Sequence, residues 1–225
     1  GVEMSLMAGF AIVVVEAVGK LYSKLHAINF GVYGATQVGK TTLHHQLRTR
    51  GDVPTIKERT VGLKRATRKY VKIDGNAHTV KTADVGGETL YWGEWIKDMR
   101  KRHVRYVIFM IDDRHMSKHY DIEQQLSWSF LVDTICSPYW DVINKKGKKK
   151  TSDYPTAVGI WANKFDLWKD KYQYEEIDKH PIFKAFEGGI EKLNEKGIPV
   201  FKYILSAKSD SKMVYRGILT MIDDY

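Results

Sequence analysis

The chain has 225 residues, 43% hydrophobic, 28% charged and 12% aromatic, with 18 glycines and 5 prolines, a globular composition that excludes collagenous, mucin-like and disordered classes. At about 150 residues per domain this is one enlarged domain or one domain with extensions. The single cysteine, Cys136, excludes a disulfide scaffold and reads as a buried structural thiol in a reducing compartment such as the cytoplasm. Lys and Arg outnumber Asp and Glu by 36 to 27, for a net charge of +9, and Lys145, Lys146, Lys148, Lys149 and Lys150 fall within six residues of each other. More than half of the excess is therefore local, which argues for one basic loop and against a nucleic-acid-coating surface.

In chain order, the apolar run from Leu6 to Val15 is followed by Glu16, Lys20 and Lys24. It is shorter than the ~20 residues a membrane span needs, and its lysines follow it where those of a signal peptide would precede it. Residues 1–27 are predicted to form a helical extension that lies on a surface. Ile28 to Tyr33, Val104 to Ile111, Thr156 to Ala162 and Val200 to Leu205 read as buried strands,. Thr41 to Arg50, Asp121 to Ile135, Ile177 to Lys196 and Met213 to Ile222 carry apolar residues near helical spacing,. Leu63 to Ala83 holds two β-rich runs around Asp74-Gly75-Asn76, a hairpin turn signal,. The pattern predicts an α/β domain over 28–225, with a basic loop at 144–151. Its sheet is six-stranded and mainly parallel, with helices on both faces and one antiparallel strand from the 63–83 hairpin.

Four stretches carry chemistry. Gly34-Ala35-Thr36-Gln37-Val38-Gly39-Lys40-Thr41 matches the phosphate-binding loop in full and lies between a strand and a helix, the context that motif requires. Its glycines let backbone N–H groups wrap phosphates, Lys40 neutralises them, the Thr41 hydroxyl is placed for Mg²⁺, and Thr42 continues the helix N-terminus. Asp84-Val85-Gly86-Gly87-Glu88 puts a carboxylate at a strand end, suited to Mg²⁺ through water, and Gly87 permits close backbone approach to a γ-phosphate,. Asn163-Lys164-Phe165-Asp166 follows an apolar strand. The Asp166 carboxylate can accept from N1–H and N2–H₂ of guanine, which adenine cannot supply, and the Lys164 stem can lie over the base. Ser206-Ala207-Lys208 follows the last strand at the same end of the sheet.

Together these motifs resemble the small GTPase superfamily, and most closely its Arf-like branch, from about Ile28 onward. The resemblance implies a P-loop G domain that binds GTP or GDP with Mg²⁺ and hydrolyses GTP as a conformational switch. Arg59-Thr60-Val61-Gly62-Leu63 is similar to the family's first switch, which makes Thr60 a second Mg²⁺ ligand beside Thr41 and Asp84. Gly86 to Lys97 corresponds to the second switch. The resemblance implies Lys40, Thr60, Gly87 and Glu88 as catalytic residues, and effector and regulatory proteins that bind residues 55–65 and 86–100. Glu88 departs from the family's usual glutamine, so slow hydrolysis is expected.

An apolar N-terminal helix plus the lysine loop points to reversible attachment to an anionic membrane through residues 4–27 and 145–150; packing of the helix on the protein itself is the alternative. A GTP-holding scaffold with little hydrolysis is the runner-up reading. An ATPase with the same loop is disfavoured by Asn163-Lys164-Phe165-Asp166. His44, His45, His115 and His119 lack the carboxylate or cysteine that would complete a transition-metal site. Arg59 reads as a solvated switch charge, with a cis arginine that reaches the γ-phosphate as the alternative. Trp92 and Trp95 suit either a partner-binding pair or packing beneath the switch.

Overall fold

The computed structural model describes residues 28–35, 37–49, 67–73, 76–82, 87, 92–117, 122–137, 140 and 155–223. The apolar runs become β1 (Ile28–Gly34), β4 (Tyr106–Ile111), β5 (Ala157–Ala162) and β6 (Val200–Ile204). The hairpin runs become β2 (Thr67–Ile73) and β3 (Asn76–Thr82). β1, β4, β5 and β6 pair in parallel, β1 also pairs in parallel with β3, and β2 runs antiparallel to β3, for a strand order of β2-β3-β1-β4-β5-β6.

Strand residues alternate faces, and the core divides accordingly. Phe30, Val32, Tyr106, Ile108, Met110 and Trp161 pack under α1 (Lys40–Thr49) and α6 (Ser211–Asp223), which contribute Leu43, Val214 and Ile218. Tyr33, Val107, Phe109, Ile111, Val158 and Ile160 pack on the other face. That face is covered by α2 (Trp92–Lys101), α3 (Glu123–Ile135) and α5 (Glu187–Glu195). Every residue of β4 and β5 is buried, which is why these strands read as unbroken apolar runs.

Several expectations are corrected. The helix predicted over Ile177 to Lys196 is two 3₁₀ segments, Ile177–Lys179 and Pro181–Phe186, followed by α5. Pro181 has no N–H to continue a helix across it, and His180 takes an extended ψ of 138° while its Nδ1 accepts from the Ile182 N–H. The Asp121 to Ile135 helix starts later, at Glu123. Cys136, expected as a buried thiol, is a half-buried C-cap residue just past the end of α3. Trp95 is fully buried against Tyr33 and Phe109, so it packs beneath the surface and cannot act as an exposed partner contact. Among the described residues no helix is long and apolar enough to cross a membrane.

Candidate functional site

β1, β4, β5 and β6 end at one edge of the sheet, and the polar residues that follow them meet there. Backbone bonds knit the strand ends together: the Asn163 N–H donates to Ile111 O at 2.9 Å, Leu205 N–H to Ala162 O at 2.9 Å and Phe165 N–H to Leu205 O at 3.1 Å. The loop after β1 turns through positive φ at Gly34 (148°), Gln37 (63°) and Gly39 (103°) before α1 begins at Lys40. At Gly39 a side chain is excluded twice: its φ suits glycine, and a Cβ would collide with Asn163 Nδ2,.

Asn163 is the junction of the site. Its Nδ2 donates to Val38 O in the loop at 3.0 Å, and its Oδ1 accepts from the Ala207 N–H at 3.0 Å. One buried amide therefore ties the Gly34 to Thr41 loop to the segment after β6. Ser206 joins the same cluster, its Oγ accepting from the Asp166 N–H at 2.9 Å. Asp166 itself is exposed, as is Lys208.

Lys40 is 7% exposed and its ammonium donates to Gly34 O at 2.8 Å and Ala35 O at 2.6 Å. Gly87 lies against this group: a Cβ there would meet Lys40 Nζ at 2.5 Å and Gly34 O at 2.6 Å. The Gly87 carbonyl accepts from Trp92 Nε1 at 3.2 Å, which connects it to the start of α2. Lys40, Thr41, Thr42 and Gly87 are thus gathered at one place with Asn163, Lys164, Ser206 and Ala207. Thr36, Thr60, Asp84 and Glu88 lie outside the described residues, as do residues 4–27, 55–65 and 145–150.

One residue at this edge escaped the sequence reading. Asp112, directly after β4, is 1% exposed. Its carboxylate accepts from Lys164 Nζ at 2.9 Å, Arg114 Nε at 2.9 Å, Gln124 Nε2 at 2.6 Å and the Arg114 N–H at 3.1 Å. Burial pushes this carboxyl up, but Lys164 and then Arg114 outweigh it and hold it below the ordinary carboxylate range,. A signal existed: Asp112 is the first polar residue after a buried strand, as Asn163 is, and ligands of open α/β sheets gather at that edge. Both ring nitrogens of His115 lie within 3.0 Å of backbone carbonyl oxygens, Nδ1 beside that of Asp112 and Nε2 beside that of Ile182. No group of three or more potential metal ligands of the His, Cys, Asp or Glu type occurs among the described residues.

A scan against known protein families finds no match to this chain, and a search of curated proteins finds no relative.

Proposed function

We propose that this chain is a GTP-binding switch protein of the small GTPase kind, similar to the Arf-like branch, with a P-loop G domain and slow Mg²⁺-dependent GTP hydrolysis. The observation that carries the reading is the Asn163 amide, which holds the Gly34 to Thr41 loop with one end and the Ser206-Ala207-Lys208 segment with the other. A phosphate-loop pattern and a guanine-type motif found separately in a sequence have no reason to share a buried side chain. Their union at a strand-end edge is what a nucleotide spanning both requires.

The residues fit a phosphate chain. A buried ammonium rests on carbonyl oxygens that a phosphate can replace, and Gly39 and Gly87 keep the backbone free of side chains where close approach is needed. Thr41, with Thr60 and Asp84, would hold Mg²⁺, which would supply positive charge to neutralise the charge that develops on the phosphates. In this reading Lys40 moves from the Gly34 and Ala35 carbonyls to β/γ-phosphate oxygens, and the Gly87 N–H is aimed at the γ-phosphate. Glu88 can accept a proton from the attacking water, yet it cannot donate to the γ-phosphate and adds negative charge beside it. Unassisted turnover is therefore set at or below ~10⁻⁴ to 10⁻³ s⁻¹. Within residues 86–100, a partner would find Gly93 and Lys97 exposed, with Trp95 and Met99 out of reach.

The nucleotide carried by the purified protein tests the reading, together with an Asp166→Asn variant. Guanine nucleotide is expected, and Asp166→Asn should weaken GTP binding on the order of 10²-fold. It should favour xanthine nucleotide, whose C2 carbonyl accepts from an amide. Adenine nucleotide alone, or unchanged GTP affinity in Asp166→Asn, overturns the proposal.

A further inference from the structure

We infer that Asp112 is a positioning residue for the base site, holding Lys164 in place before any nucleotide arrives. This inference rests on the proposed guanine-nucleotide function, in which the Lys164 stem covers the base.

Lys164 occupies the left-handed region at φ 64° and ψ 31°, immediately before the short helix α4 (Phe165–Trp168). Its backbone is committed to a conformation that leaves the side chain as the adjustable part. That side chain is fixed at its tip by two acceptors from distant parts of the chain. Nζ donates to Gln37 O at 2.6 Å in the loop after β1 and to Asp112 Oδ2 at 2.9 Å after β4. A lysine stem loses substantial rotamer freedom when it is ordered. Ordering it in the free protein removes that cost from the binding step.

Asp112 is itself immobilised. Gln124, 0% exposed on α3, donates to Asp112 Oδ1 at 2.6 Å and accepts from the Asp112 N–H at 3.0 Å. Trp168 Nε1, on the far side of Lys164, donates to Asn163 O at 2.8 Å and fixes the backbone into which Lys164 is built. The carboxylate thus links α3 to the base loop, and through Lys164 to the Gln37 carbonyl. A group that only stabilised the fold would have no need of Lys164, because Arg114 already lies within 2.9 Å of both Asp112 oxygens.

Asp112 and Asp166 should therefore be separable. Asp166 reads the base edge, so its loss changes which base is bound. Asp112 orders the stem over the base face, so its loss weakens every nucleotide with a similar ring. Exchanging Asp112 for Asn places an amide NH₂ where Lys164 or Gln124 needs an acceptor.

The test measures dissociation constants for GDP and inosine diphosphate, which lacks the 2-amino group, with wild type, Asp112→Asn, Lys164→Met and the double variant. Asp112→Asn should weaken both nucleotides by the same factor, on the order of tenfold. The double variant should bind no worse than Lys164→Met alone, because the two residues act as one unit. Gln124→Leu, which loosens Asp112 without touching its charge, should show a smaller loss that likewise disappears in the Lys164→Met background, and it serves if Asp112→Asn fails to fold. Wild-type affinity in Asp112→Asn, or losses that multiply in the double variant, overturn the inference and leave the proposed function standing. Failure of the wild type to bind GDP overturns both.

Discussion

A carboxylate at 1% exposure, as Asp112 is, survives as an ion only if its surroundings replace water. Here two cations, an amide and a backbone N–H do so, and the balance tips toward the charged form. The pH consequence has a definite sign. Because the folded pKa is depressed, the group's contribution to stability is complete above the unfolded carboxyl value, about pH 4. It is lost as pH falls through the lower folded value. Urea midpoints measured from pH 6 down to pH 3 should fall more steeply for the wild type than for Asp112→Asn, which has no proton to take up at that position. Parallel slopes for the two proteins would mean that the carboxylate is no better stabilised folded than unfolded.

At the scale of elements, α2 is held by more than its apolar face. Asp98, 1% exposed, accepts from Arg102 Nε at 2.6 Å and Nη2 at 2.7 Å just past the end of its own helix, and from Tyr33 Oη of β1 at 2.8 Å. Burial and then Asp98 raise the Tyr33 hydroxyl well above the usual phenol range, so it remains a donor throughout ordinary conditions. Tyr33 directly precedes Gly34, and the knot therefore fastens the last turn of α2 to the strand that delivers the candidate phosphate loop. Replacing Arg102 by Met leaves Asp98 charged and half-satisfied in the interior, at a cost of about 3–5 kcal/mol. Tyr33→Phe removes one bond to a charged acceptor, about 1.5–3 kcal/mol. Chemical denaturation should show the Arg102 change as the larger; the reverse order would make Tyr33 the anchor.

This element also marks the limit of what the sequence disclosed. Strands with both faces buried, such as Tyr106–Ile111 and Ala157–Ala162, declare themselves as apolar runs, and the loop from Gly34 to Thr41 declares itself by spacing. The helix Trp92–Lys101 was hidden within an assigned switch, although Trp92, Trp95, Ile96 and Met99 recur at helical spacing. Asp112 was hidden for another reason. Its partner Lys164 is 52 residues away, and no local pattern reports a contact made by chain topology. The break at His180 and Pro181 was legible from the proline alone, yet apolar periodicity on either side of it masked the boundary.

Across the whole molecule, the candidate site and the described residues that flank the lysine-rich stretch belong to opposite ends of the sheet. Asp112, Asn163 and Leu205 follow the C-terminal ends of their strands and Gly34 ends β1, whereas the described residues on either side of the lysine-rich stretch lie at the other end. Before it, Trp140 is buried with the Arg100 guanidinium of the α2 C-terminus 5.6 Å from its ring centre. After it, the Thr156 N–H donates to Arg105 O at 2.6 Å, where β4 and β5 begin. Lys101, His103 and Arg105 are exposed at that same end. The six residues of β5 span about 20 Å at ~3.3 Å per residue, more than twice the ~8 Å screening length at physiological salt. Exchanging Lys145, Lys146, Lys148, Lys149 and Lys150 for glutamine should therefore leave the guanine-nucleotide dissociation constant within about twofold at ~0.15 M salt. The same variant should lose cosedimentation with phosphatidylserine vesicles, since each lysine near an anionic surface contributes about 1 kcal/mol. A nucleotide affinity that fell with the lysines would place that stretch at the site, against the attachment points at Trp140 and Thr156. Unchanged vesicle binding would remove the lysines from any membrane contact.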